Sequence, residues 1–164
     1  MRKTLEAIGL GGLAVMFWVT YSAFNGPNPL PDRIPTHFDA AGNPNGWGSP
    51  QTLWLLPVLG ASLYLVITVV SQFPTSFRYS VQVTEANRAR LQEVTLDMLA
   101  WFKAELVCLF AVLQWWMIQA ARNGGGHMSP FLVPAFLVVV FATAGWHVVA
   151  LFQAARTGSG SSAG

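Results

Sequence analysis

Four long apolar runs, at about Leu5–Phe24, Thr52–Gln72, Asp97–Ala120 and Phe131–Phe152, alternate with polar connectors along the chain. Each has close to the roughly 20 predominantly apolar residues that carry a helix across a bilayer. Backbone groups in lipid have no water to bond, so such runs are expected as α-helices. The first, second and fourth carry no charge past their ends. The third contains Lys103 and Glu105 and is the least apolar, although Leu106–Ala120 is interrupted only by Gln114 and Gln119. Arg2 and Lys3 precede the first run as they would in a signal peptide. Its apolar stretch is longer than an ordinary h-region, however, and Tyr21–Ala23 is a poor cleavage site, which favours a retained helix.

The connectors sharpen this pattern. Residues 25–51 form a long loop rich in Pro, Gly and Asn, and Arg122–Pro130 is a glycine-rich turn sufficient to reverse the chain. After Pro74 the second connector becomes helical. Thr84 suits an N-cap, with Glu85/Arg88 and Arg90/Glu93 spaced as i,i+3 pairs, so the third helix is expected to begin well before its apolar part. The expected fold is an all-α integral membrane domain over residues 1–156, with helices at about 5–24, 52–72, 84–121 and 131–153. The Gly/Ser-rich residues 157–164 form a tail, read as flexible.

Composition agrees with the pattern. The chain is 53% hydrophobic and only 10% charged, against roughly 25% charged in ordinary soluble domains, so its apolar excess needs lipid. A net charge of +2, scattered along the chain, gives no basic stripe for nucleic acid. Arg2, Lys3, Arg78, Arg88, Arg90 and Arg156 fall on one side of the four runs, and only Arg33 and Arg122 on the other. The positive-inside rule then puts both termini in the cytoplasm and loop 25–51 outside. The single cysteine, Cys108, is expected to be buried packing.

The long loop is the most distinctive segment. Pro27, Pro29 and Pro31 favour an extended approach, Asp39-Ala-Ala-Gly and Asn43-Pro-Asn-Gly read as turns, and Ile34, Phe38 and Trp47 could pin the loop to the helix ends. His37 and Asp39 could form a base–acid pair or ligate a metal. One His and one Asp fall short of the roughly three or four protein ligands of a zinc site, to which His127 in the other outer loop could add one, and Ala41 breaks the calcium-loop spacing. No nucleophile elbow, Walker loop, HExxH or CxxC is present, and no motif calls for a cofactor. The plainer role of His37 and Asp39 is to bond the turns.

Leu30-Pro-Asp-Arg-Ile-Pro-Thr-His-Phe-Asp, followed by Gly42 and Gly46-Trp47-Gly48, resembles the signature of a bacterial family catalogued as domain of unknown function 1648. Tyr79–Asn87 is a second, weaker similarity, with Arg78 and Ser80 standing where the family has asparagine and proline. The resemblance spans roughly Leu5–Ala120. It implies a small multi-helix bacterial inner-membrane protein related to the N-terminal part of SdpI-like immunity proteins. The immunity activity itself belongs to longer relatives with further helices.

Charges inside the bilayer need a partner or an escape route. Lys103 and Glu105 are about 200° apart around a helix, so one of them is expected to face inward. Lysine can snorkel to the headgroups, which leaves Glu105 as the inward residue and His147, at similar depth on the fourth helix, as its partner. Three functions follow. The leading one is a non-enzymatic binding, sensing or immunity-like module, with His37, Phe38, Asp39, Asn45 and Trp47 recognising a peptide or protein. The second is proton-linked transport or a channel component through Glu105, His147 and Lys103, for which four helices are few unless the chain forms a homo-oligomer. The third is a membrane enzyme using His37 and Asp39.

Overall fold

The computed structural model describes residues 1–157; the tail read from sequence lies, from residue 158 onward, outside the described residues. Four long helices dominate: α1 (Arg2–Asn25), α2 (Leu55–Ser71), α3 (Glu85–Arg122) and α4 (Leu132–Thr157). Short 3-10 turns at Pro50–Trp54 and Pro74–Ser76 flank α2. The connector after α1 is not wholly irregular. It contains two antiparallel strands, β1 (Ile34–Phe38) and β2 (Pro44–Gly48). Their prolines and glycines argue against strands from sequence. Register shifts on either side of His37 accommodate them, with Pro35 opposite Trp47 and Phe38 opposite Pro44.

The helices alternate in direction, so the chain's two described ends lie together at the end opposite the hairpin. An Arg2–Asp97 ion pair of 2.8 Å joins the start of α1 to α3 there, and Asn87 Nδ2 donates to the Ala155 carbonyl of α4 at 3.4 Å. The start of α3 is closed by a capping box. Thr84 Oγ1 accepts from the Asn87 amide, and Asn87 Oδ1 accepts from the Thr84 amide.

α3 is the hub, packed against α1, α2 and α4. Its 38 residues extend about 57 Å, well beyond a hydrocarbon core of roughly 30 Å. Three clusters line its length: Leu5 with Ala100 and Ala104, Met16 with Tyr64 and Val107, and Ala23 with Ile34, Leu53, Ile118 and Ala121. Glycines permit the close approach in the middle. A Cβ on Gly9 would lie 2.7 Å from the Tyr64 ring, and one on Gly12 would lie 2.7 Å from Val107. Near the hairpin end, buried Gln114 ties three elements together, donating through Nε2 to Thr20 Oγ1 (2.7 Å) and to the Leu53 carbonyl (2.9 Å).

Among the described residues three helical segments are long and apolar enough to cross a membrane: Arg2–Asn25, Pro50–Ser71 and Leu132–Arg156. α3 falls outside that group because its polar residues are spread along it. Cys108, expected in the core, is instead exposed on α3, since the face it occupies is not covered by α1 or α2. α4 packs on α3 and turns most of its surface outward, with Phe141 and Trp146 more than two-thirds exposed.

Candidate functional site

The hairpin forms a cap whose polar groups are largely spent on its own structure. Asp39 closes the turn between the strands. Its Oδ1 accepts from the backbone amides of Asn43 (2.8 Å) and Ala41 (2.9 Å), and its Oδ2 accepts from Asn43 Nδ2 (3.3 Å). These donors, the Asn43 amide foremost, hold the Asp39 carboxyl below its usual range. His37 Nδ1 lies 2.5 Å from Asn45 Oδ1 across the hairpin, which makes the ring nitrogen the donor. Phe38 is half-buried and Trp47 is exposed. His37 and Asp39 therefore bond different partners, and among the described residues no three His, Cys, Asp or Glu side chains converge on a metal site.

The glycine-rich turn after α3 does more than reverse the chain. Gly125, at φ +103°, lets its amide donate back to the Ala120 carbonyl (2.8 Å) at the end of α3. Its bare Cα also admits the Trp47 ring, since a Cβ there would come within 2.9 Å of it. On the other side Gly42, at φ +86°, accepts a bond from the Met128 amide at 2.9 Å. The hairpin is thus fastened to the α3–α4 connector by backbone. Beside it lies an open cleft of about 830 Å³ between Asn28–Pro31 and the end of α3, where Gln119, Arg122 and Asn123 line the opposite wall.

A second set of polar groups lies between the helices. Lys103 is buried at 3% exposure, not snorkelled. Its Nζ donates to Glu6 Oε1 (2.5 Å) and Thr68 Oγ1 (3.1 Å) and sits 4.7 Å from the centre of the Tyr64 ring, while the Tyr64 hydroxyl donates to Glu6 Oε2. Glu105 is buried as well, so the expectation that only one of the two faces inward is corrected. Their opposite directions stand, but α3 has neighbours on both sides: Lys103 meets α1 and α2, and Glu105 meets α4. Nor do Glu105 and His147 bond each other among the described residues. Both bond Thr143 instead, whose Oγ1 donates to Glu105 Oε1 at 2.6 Å and whose carbonyl accepts from His147 Nδ1 at 2.8 Å. A threonine one turn before the histidine stands between them, bonding one oxygen of the carboxylate and the Nδ1 of the histidine.

Sequence reading missed Glu6, Tyr64, Thr68 and Thr143. Glu6 was available as a signal: it is an acid inside the first helix, at the same distance from the hairpin end as Lys103. The hydroxyl residues carried none, because tyrosine and threonine are unexceptional in an apolar helix.

Fold and polar interior together define a mostly helical membrane protein. Residues 12–61, from α1 through the hairpin into α2, match the family described as Domain of unknown function (DUF1648), in agreement with the resemblance read from the loop. The match is narrower than the span read from sequence and does not include Tyr79–Asn87. No curated protein and no solved structure matches the chain.

Proposed function

We propose that this is a non-enzymatic binding module of a bacterial inner membrane. In this reading α3 is a fourth crossing, both termini are cytoplasmic and the hairpin cap faces outward. The Lys/Arg distribution supports that orientation, since Arg2, Lys3, Arg78, Arg88, Arg90 and Arg156 belong to the end away from the hairpin. The ion pair of Lys103 with Glu6 supports the α3 crossing, because it neutralises one of the charges that lower that helix's hydropathy.

The observation that carries the binding role is the cleft beside the cap. It is large enough for several residues of an extended peptide, and its walls alternate apolar groups (Pro29, Leu30, Pro31) with amides (Asn28, Gln119, Asn123) and one guanidinium, Arg122. Side-chain amides match the donor and acceptor of a peptide group, and Arg122 suits a carboxylate. Trp47 and the strands lie outside the lining of the cleft, and the hairpin's contribution is to pack Trp47 on Gly125 in the turn next to it. The ligand class is therefore an extracytoplasmic peptide. Selection of random peptides on the full chain in lipid nanodiscs should enrich sequences that bind the native protein and are lost on Arg122→Ala and Asn28→Ala. Failure to enrich, or peptides that bind the variants equally, rejects the reading.

A further inference from the structure

α2 and α4 both lean on α3, and a partly open pocket of about 230 Å³ lies among them. Its walls are Ile67 of α2, Phe102, Glu105 and Leu106 of α3, and Phe136 and Val140 of α4. Glu105 is more than nine-tenths buried, and only one of its two oxygens is satisfied. Oε1 accepts from Thr143, while Oε2 is buried and has no hydrogen-bond partner among the described residues. A polar atom in hydrocarbon without a partner is costly, so native membrane proteins complete such groups. Among the described residues the walls of the pocket offer no other donor, and the nearby Cys108 thiol, a weak donor, makes no bond to Oε2. Ile67, Phe102, Leu106, Phe136 and Val140 carry none, the Thr143 hydroxyl is committed to Oε1, and His147 spends its Nδ1 proton on the Thr143 carbonyl.

We propose that the missing donor arrives with a ligand: a membrane-soluble amphiphile whose hydroxyl or amine head donates to Glu105 Oε2 and whose apolar body lies against Phe102 and Phe136. A water molecule takes about 30 Å³ of liquid volume, so the pocket holds the head and its first few carbons, with the remaining chain in the bilayer. The site lies on the opposite face of α3 from the Lys103–Glu6 pair and is independent of the cleft at the cap.

The test uses the full chain in phosphatidylcholine nanodiscs with three photoreactive probes of equal length, a diazirine-bearing hexadecanol, hexadecylamine and hexadecane, with labelled peptides read by mass spectrometry. The alcohol, the amine or both should label the peptides containing Phe102–Leu106 and Phe136–Val140 about tenfold more than the alkane, the discrimination expected of one good hydrogen bond. Labelling by both heads identifies a neutral donor as sufficient; labelling by the amine alone identifies a cationic head. Glu105→Leu should abolish the preference, and Val140→Trp, which fills the pocket and leaves the carboxylate in place, should remove labelling by all three. Should Glu105→Leu fail to fold, competition in the native protein decides, since excess hexadecanol or hexadecylamine must displace its own probe and hexadecane must not. Equal labelling by all three probes in the native chain, or a preference that survives Glu105→Leu, overturns the proposal.

Discussion

At the scale of single residues, Asp39 and Gly42 hold the cap in shape by different means. The backbone donors around Asp39 favour its ionised form, so its folded pKa lies below the unfolded value of about 3.9. The resulting stability is present above that value and is lost as pH falls through the lowered folded one. Protection of the Ala41 and Asn43 amides from hydrogen exchange should therefore hold from neutral pH to about pH 4 and collapse below it, and Asp39→Ala should abolish the protection throughout. Gly42 acts through space and backbone together. At φ +86° an added Cβ would sit 1.8 Å from the Met128 carbonyl oxygen, so Gly42→Ala should lower stability by about 1–3 kcal/mol. Gly124, at φ +70° with nothing near it, is the control, and its alanine variant should melt measurably higher than Gly42→Ala. Asp39's turn was legible because Asp-x-x-Gly is a local pattern. The partner of Gly42 was not, because Met128 reaches it from 86 positions away along the chain.

At the scale of elements, burial on both sides of α3 decides what its charges do. Removing one member of a buried pair strands the other, at a cost of about 3–5 kcal/mol when the stranded charge is fully enclosed. Lys103 is the enclosed partner and Glu6 the more open one, at 3% and 38% side-chain exposure. Glu6→Gln should therefore destabilise more than Lys103→Met, and the double variant should recover part of the loss, as read by denaturant titration in detergent. Thr143→Val tests the other face. It removes an interhelical bond worth about 0.6 kcal/mol on average in membranes and should loosen α4 while leaving α1–α3 intact. The four helical runs, the Thr84 cap and the early start of α3 all followed from periodicity and local chemistry. The hairpin was hidden because Pro35, Pro44, Gly46 and Gly48 are poor strand residues, and its strands are held by docking. The Lys103–Glu6 pair needed only a depth argument, since each residue is nineteen positions from the hairpin end of its helix, roughly 28 Å.

At the scale of the whole molecule, the proposed orientation makes a direct prediction. With Cys108 replaced by Ser, a cysteine introduced at Ala40 should react with a membrane-impermeant maleimide added to intact cells, and one introduced at Ser80 should react only after the membrane is opened. The reverse pattern would invert the protein. The core is also unevenly shared. α1 and α2 close around α3, whereas α4 packs chiefly on α3. Its two ends are nevertheless anchored, by the Met128 amide on Gly42 just before it begins and by Asn87 on the Ala155 carbonyl near its close. Between those anchors the helix is tied to α3 by the Thr143–Glu105 bond, and Phe136 and Val140 line the pocket on the same side. The approach toward the orphaned carboxylate oxygen is therefore sideways, through the partly open pocket between α2 and α4, and not along the axis of the bundle.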